Sequence, residues 1–103
     1  MGIVSPIGMG KAAFWESLCA GRSGVRPYGL LAGTEMPVRF GAPVSDFDAK
    51  QYVRPRKSLK VMCREIQMGF AASVLAAEDA GLAADVLDPD RLGVVFGSEI
   101  FYG

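Results

Sequence analysis

Two cysteines, Cys19 and Cys63, are the only thiols in this chain, and it contains no histidine. A cysteine becomes a nucleophile when a nearby base or the first turn of a helix favours its thiolate. No imidazole can serve either one from within this sequence. Cys63 falls in the middle of a helical apolar stripe and Cys19 near the end of another helical segment, so both are expected to pack as small hydrophobes. No set of Asp, Glu or Cys has the spacing of a metal centre. Asp85, Asp88 and Asp90 lack the glycine and terminal glutamate of a calcium loop. Gly8, Gly10, Gly93 and Gly97 fit neither a phosphate-binding loop nor a dinucleotide fingerprint, which assigns them to turns and close packing. The expectation is a chain with no catalytic residue, no metal and no cofactor of its own.

The charges are more informative. Eleven cations balance eleven acids, and a net charge of zero argues against a general nucleic-acid binder. Yet Arg54, Arg56, Lys57, Lys60 and Arg64 stand close together with no acid among them. From Glu78 onward the sign reverses, with Glu78, Asp79, Asp85, Asp88, Asp90 and Glu99 against Arg91 alone. Cations at the amino end of a helix oppose its macrodipole by about 0.3–1 kcal/mol each. Arg56, Lys57 and Lys60 crowd that end of the longest helical pattern, so an anionic partner is a physical reason for keeping them. The competing reading is a solvated face offset by the loop carboxylates Asp46 and Asp48.

Elements that would carry these groups can be read from periodicity. Half of the 103 residues are hydrophobic, unlike a disordered chain. A chain of this size buries only about two-thirds of its unfolded surface. Residues 3–7 read as the end of a strand entering a turn at Pro6 and Gly8. Residues 11–20 read as a helix with Phe14, Leu18, Ala12, Trp15 and Cys19 on its apolar face, and Gly21 just past its end. A loop rich in Gly and Pro covers 22–37, and 38–44 reads as a short edge strand. The longest helix is expected over 57–80, where Leu59, Met62, Cys63, Ile66, Phe70, Val74 and Ala77 recur at three- and four-residue steps. It is apolar nearly all round past Gly69, as in a helix buried between layers. Residues 92–96 read as a strand buried on both faces. Phe14, Trp15, Met62 and Phe70 are expected in the core.

Strand, helix, strand, helix, strand is an α/β pattern. The most apolar stretch, 68–82, is interrupted by charges and glycines and falls short of the roughly 20 residues that span a bilayer. With no secretory leader and no disulfide framework, a reduced cytoplasmic setting is expected.

Four segments in order resemble the β-ketoacyl-acyl-carrier-protein synthases. Gly2-Ile3-Val4-Ser5-Pro6-Ile7-Gly8 is similar to the end of their first strand. Phe14-Trp15-Glu16-Ser17-Leu18-Cys19-Ala20-Gly21-Arg22-Ser23-Gly24-Val25 resembles their first helix and its exit. Residues 57–82, with Met62, Gln67 and the ending Glu78-Asp79-Ala80-Gly81-Leu82, resemble their long core helix. Arg91-Leu92-Gly93-Val94-Val95-Phe96-Gly97-Ser98 resembles the strand that follows. The Ser5-Pro6 pair favours the dissociated fatty-acid branch over modular polyketide ketosynthases, which carry an aromatic residue and a proline there. Aromatic polyketide ketosynthases look like the fatty-acid branch at this point.

The resemblance implies residues 1–103 as an amino-terminal part of a layered, thiolase-like domain. It implies a homodimeric enzyme of fatty-acid biosynthesis that joins an acyl group to malonyl-carrier protein by decarboxylative Claisen condensation. The family's catalytic cysteine and two histidines would lie beyond Gly103, and neither Cys19 nor Cys63 matches that cysteine. Lys57 and Lys60, with Arg56 beside them, fall where the family presents basic residues to its acidic acyl-carrier protein. The alternatives are a non-catalytic carrier-binding or assembly module, and a polyketide ketosynthase or chain-length-factor relative.

Overall fold

The computed structural model describes residues 1–82 and 85–99. Its first feature is a hairpin. β1 (Val4–Ser5) pairs antiparallel with β2 (Gly8–Met9), with Val4 opposite Met9 and Ser5 opposite Gly8. Pro6 and Ile7 form the two-residue loop. The Ser5 hydroxyl donates to the Gly8 carbonyl at 2.9 Å, and the Gly10 amide to Ile3 at 2.8 Å. The expected strand end at 3–7 therefore doubles back at once instead of running on.

α1 (Lys11–Cys19) begins at Gly10, whose φ of +81° suits glycine. It ends on Gly21, at φ +66°. The Arg22 amide donates to Ser17 at 2.9 Å and the Gly21 amide to Leu18 at 3.1 Å, the paired bonds of a Schellman ending. The only buried polar residue among those described, Ser17, donates its hydroxyl to the Ile7 carbonyl at 2.6 Å and so fastens α1 to the hairpin loop. A second small ladder pairs β3 (Arg26–Pro27) with β4 (Phe40–Gly41), so only part of the expected strand at 38–44 forms.

The long helix differs most from expectation. Residues Arg56–Val61 form a 3₁₀ turn, Met62 and Cys63 are extended, and α2 runs over Arg64–Asp79. Apolar periodicity continues through this break and cannot reveal it, but the electrostatics can. A start at Arg64 puts Glu65 in the first turn, where a carboxylate is favoured, and moves Arg56, Lys57 and Lys60 out of it. The Glu65 carboxyl is held below its ordinary range, first by a backbone amide and then by the Cys63 thiol. The amino end of α2 thus holds Glu65 against the single cation Arg64, not the crowd of cations expected for a helix starting at 57. Its carboxyl end repeats the ending of α1, with Leu82 donating to Ala77 at 2.9 Å and Gly81 to Glu78 at 3.1 Å.

Small residues let other segments approach α2 closely. Gly2 lies against the backbone at Ala72 and Ala76, leaving no room for a Cβ, and the Phe96 ring rests over Gly69. Yet the buried apolar residues among those described are only Ala49, Val53 and Ala71. Trp15 is 67% exposed and Phe70 40%, which corrects their expected core positions; Phe14 and Met62 are half-buried. The stretch 92–96 is not a strand. Val95 is 98% exposed, because no neighbouring backbone among the described residues supplies the pairing that a strand needs. The accessible surface is 8129 Å², against roughly 5,600 Å² for a compact monomer of this mass. The radius of gyration is 16.3 Å, against about 13 Å. The elements form, but broad apolar faces stay open.

One polar tie joins the two helices. Asp79 pairs with Lys11 and accepts from the Met1 amino group at 2.7 Å. Lys11 first, then that amino group, draws its pKa from 3.8 to about 2. A depressed carboxylate contributes stability above its ordinary pKa and loses it as pH falls through the folded value. Unfolding followed by circular dichroism should therefore show extra acid sensitivity between those two values, and Asp79→Asn should remove that increment. An identical pH profile in the variant would show the tie to be absent in solution.

Candidate functional site

Arg56, Lys57 and Lys60 are all exposed on the 3₁₀ turn Arg56–Val61. Such a turn has three residues per revolution, so Lys57 and Lys60 eclipse one another on one edge. Ser58 and Leu59 face inward, half-buried. Arg54 is exposed just before the turn. Among the described residues none of these cations has a carboxylate within ion-pair distance. The neighbouring 3₁₀ turn Ala49–Gln51 packs against this one, but its capping carboxylate, Asp48, accepts from the Lys50 amide at 3.0 Å. The expected offset by Asp46 and Asp48 is therefore not made through ion pairs. What results is a compact edge of like charge, open to an anionic surface.

Arg64, the fifth member of the run, is drawn away from it. Its guanidinium donates to the Val44 carbonyl at 2.5 Å and sits 5.7 Å over the Phe47 ring, which stacks on Tyr52. This places Arg64 beside Arg26, an association that charge runs along the sequence could not reveal.

The cysteines also move from their expected places. Cys63 is not inside a helix. It is the half-buried residue preceding α2, with its thiol helping to hold the Glu65 carboxyl below its ordinary range. Cys19 is exposed at the end of α1. A carboxylate is the wrong charge to hold a thiolate, and the sequence has no histidine to assist. Among the described residues no three His, Cys, Asp or Glu side chains converge as a metal site, and no helix is long and apolar enough to cross a membrane. Among the described residues an apolar hollow of about 300 Å³ lies under Phe96 beside Ile66 and Phe70, and another of about 510 Å³ lies beside Phe14, Trp15 and Leu18.

The chain thus combines α/β elements, an exposed basic edge and wide apolar faces that nothing covers among the described residues. Residues 1–102 match the family described as "Beta-ketoacyl synthase, N-terminal domain". The chain is 36% identical over 97% of its length to a "3-oxoacyl-[acyl-carrier-protein] synthase 2" from Synechocystis, and 37% identical over the same share to one from Vibrio cholerae. It is 35% identical over 92% of its length to the "Tetracenomycin polyketide synthase ketoacyl synthase beta subunit" of Streptomyces glaucescens. It spans 24% of the length of the first two relatives and 23% of the third. The chain belongs to the β-ketoacyl synthase family.

Proposed function

We propose that residues 1–103 form the amino-terminal part of a 3-oxoacyl-acyl-carrier-protein synthase, a homodimer with a thiolase-like layered domain acting in the cytoplasm. The observation that carries this reading is the likeness to two such synthases over 97% of the chain. In this reading an acyl group passes from its carrier to a cysteine elsewhere in the enzyme. Malonyl-carrier protein then loses carbon dioxide, and the resulting carbanion attacks the thioester. This part of the chain contributes structure and docking. Lys57 and Lys60, with Arg56 beside them, meet the acidic carrier protein. The open faces at Trp15, Phe70 and Val95 support a part of a larger folded unit over a self-standing binding module, which would cover them.

A polyketide reading draws on the tetracenomycin relative, and Ser5-Pro6 counts only against the modular polyketide branch. Incubating the complete gene product with acyl- and malonyl-carrier protein tests the proposal. The expected product is a 3-oxoacyl thioester two carbons longer, released with one carbon dioxide. Neither condensation nor decarboxylation would overturn it, and condensation only with a polyketide carrier protein would move the enzyme to that branch.

A further inference from the structure

A hollow of about 590 Å³ between the β3–β4 ladder and the start of α2 contains two arginines from distant parts of the chain. Arg26 lies in β3, and Arg64 is the first residue of α2. Their guanidiniums are anchored on consecutive residues. Arg64 donates to the Val44 carbonyl at 2.5 Å, and Arg26 donates to the Ser45 hydroxyl. The Phe47 ring under Arg64 fixes it further. Two cations that line one hollow repel one another unless an anion lies between them. No carboxylate fills that role: among the described residues neither arginine has an ion pair. Asp46, which borders an adjoining hollow with Arg26, makes none with it. Each guanidinium has five N–H donors, so several stay available after these anchors. Planar forks of this kind match the oxygens of phosphate in pairs. Pro27, Leu30 and Tyr28 form a partly apolar wall beside them.

We infer that this hollow binds a phosphate-class oxyanion between Arg26 and Arg64, with the apolar wall receiving the organic part of a phosphate ester. The site is separate from the Lys57–Lys60 edge and does not depend on the docking reading.

Calorimetric titration of the complete protein with inorganic phosphate and with phenyl phosphate, at constant ionic strength against a chloride control, tests it. Both should bind saturably, phenyl phosphate more tightly because of the wall. Arg26→Ala and Arg64→Ala should each weaken binding at least about tenfold, the scale of a charge-assisted hydrogen bond. Arg26→Lys and Arg64→Lys keep the charge but lose the fork, so they should also weaken it, and they carry the test if the alanine variants do not fold. Lys57→Glu/Lys60→Glu should leave phosphate affinity within a factor of two or so, since those side chains lie outside the hollow. Absence of saturable binding, equal affinity in all arginine variants, or loss of binding only in the lysine variant would each overturn the inference.

Discussion

Gly8→Ala should destabilise the protein markedly. A Cβ at this position would lie 2.7 Å from the backbone carbon of Ala13 and 2.7 Å from the amide nitrogen of Phe14. Both atoms belong to the first turns of α1, so neither can swing aside as a flexible side chain would. The hairpin and α1 must separate. That stretches the bond from the Ser17 hydroxyl to Ile7, which is the buried polar link between them. Overpacking of this kind costs about 1–3 kcal/mol, a large fraction of a typical stability of roughly 5–15 kcal/mol. Denaturant unfolding of the complete protein reads it as a lowered midpoint. Gly29→Ala is the control, because a Cβ there meets nothing within 4 Å and the backbone stays outside the left-handed region. Equal midpoints for the two variants would show that the hairpin does not sit on α1 as described.

The second large effect concerns association. Reversing Lys57 and Lys60 to Glu cancels the charge of Arg54 and Arg56 beside them without touching a buried group, since both side chains are exposed. Encounter between oppositely charged surfaces is accelerated by long-range attraction, and reversal of both lysines removes that attraction. Binding of acyl-carrier protein by the complete enzyme should slow by about tenfold or more at low ionic strength. The wild-type association rate should fall steeply with added salt, and the variant's should be nearly flat or rise. Stopped-flow association at several salt concentrations separates this from a folding defect, because unfolding would reduce amplitude instead of rate. If carrier-protein association keeps its rate and salt dependence in the variant, the docking role of this edge is lost, while membership of the family is untouched.

Several features were legible in the sequence because they depend on local chemistry. Gly21 and Gly81 each end a helix, since only a residue tolerant of positive φ closes a Schellman motif cheaply. The apolar face of residues 11–20 gave α1 almost to its boundaries. The order of four motif segments pointed to the family that the comparisons show. The clustering of Arg56, Lys57 and Lys60 was likewise visible, as was the absence of any histidine.

Tertiary structure decided the rest. The break at Met62 and Cys63 lies within a continuous apolar stripe, and only the charge on the first turn of α2 distinguishes a start at Arg64 from one at 57. That break sets Lys57 and Lys60 on one edge of a 3₁₀ turn and brings Arg64 to the same hollow as Arg26, 38 positions earlier in the sequence. The strand expected at 92–96 has the residue types for a buried sheet, but pairing is a property of two backbones, and residue type in one segment cannot supply the other. Apolar periodicity shows which faces could be covered. Whether Trp15, Phe70 and Val95 are covered depends on what packs against them, and among the described residues nothing closes over them.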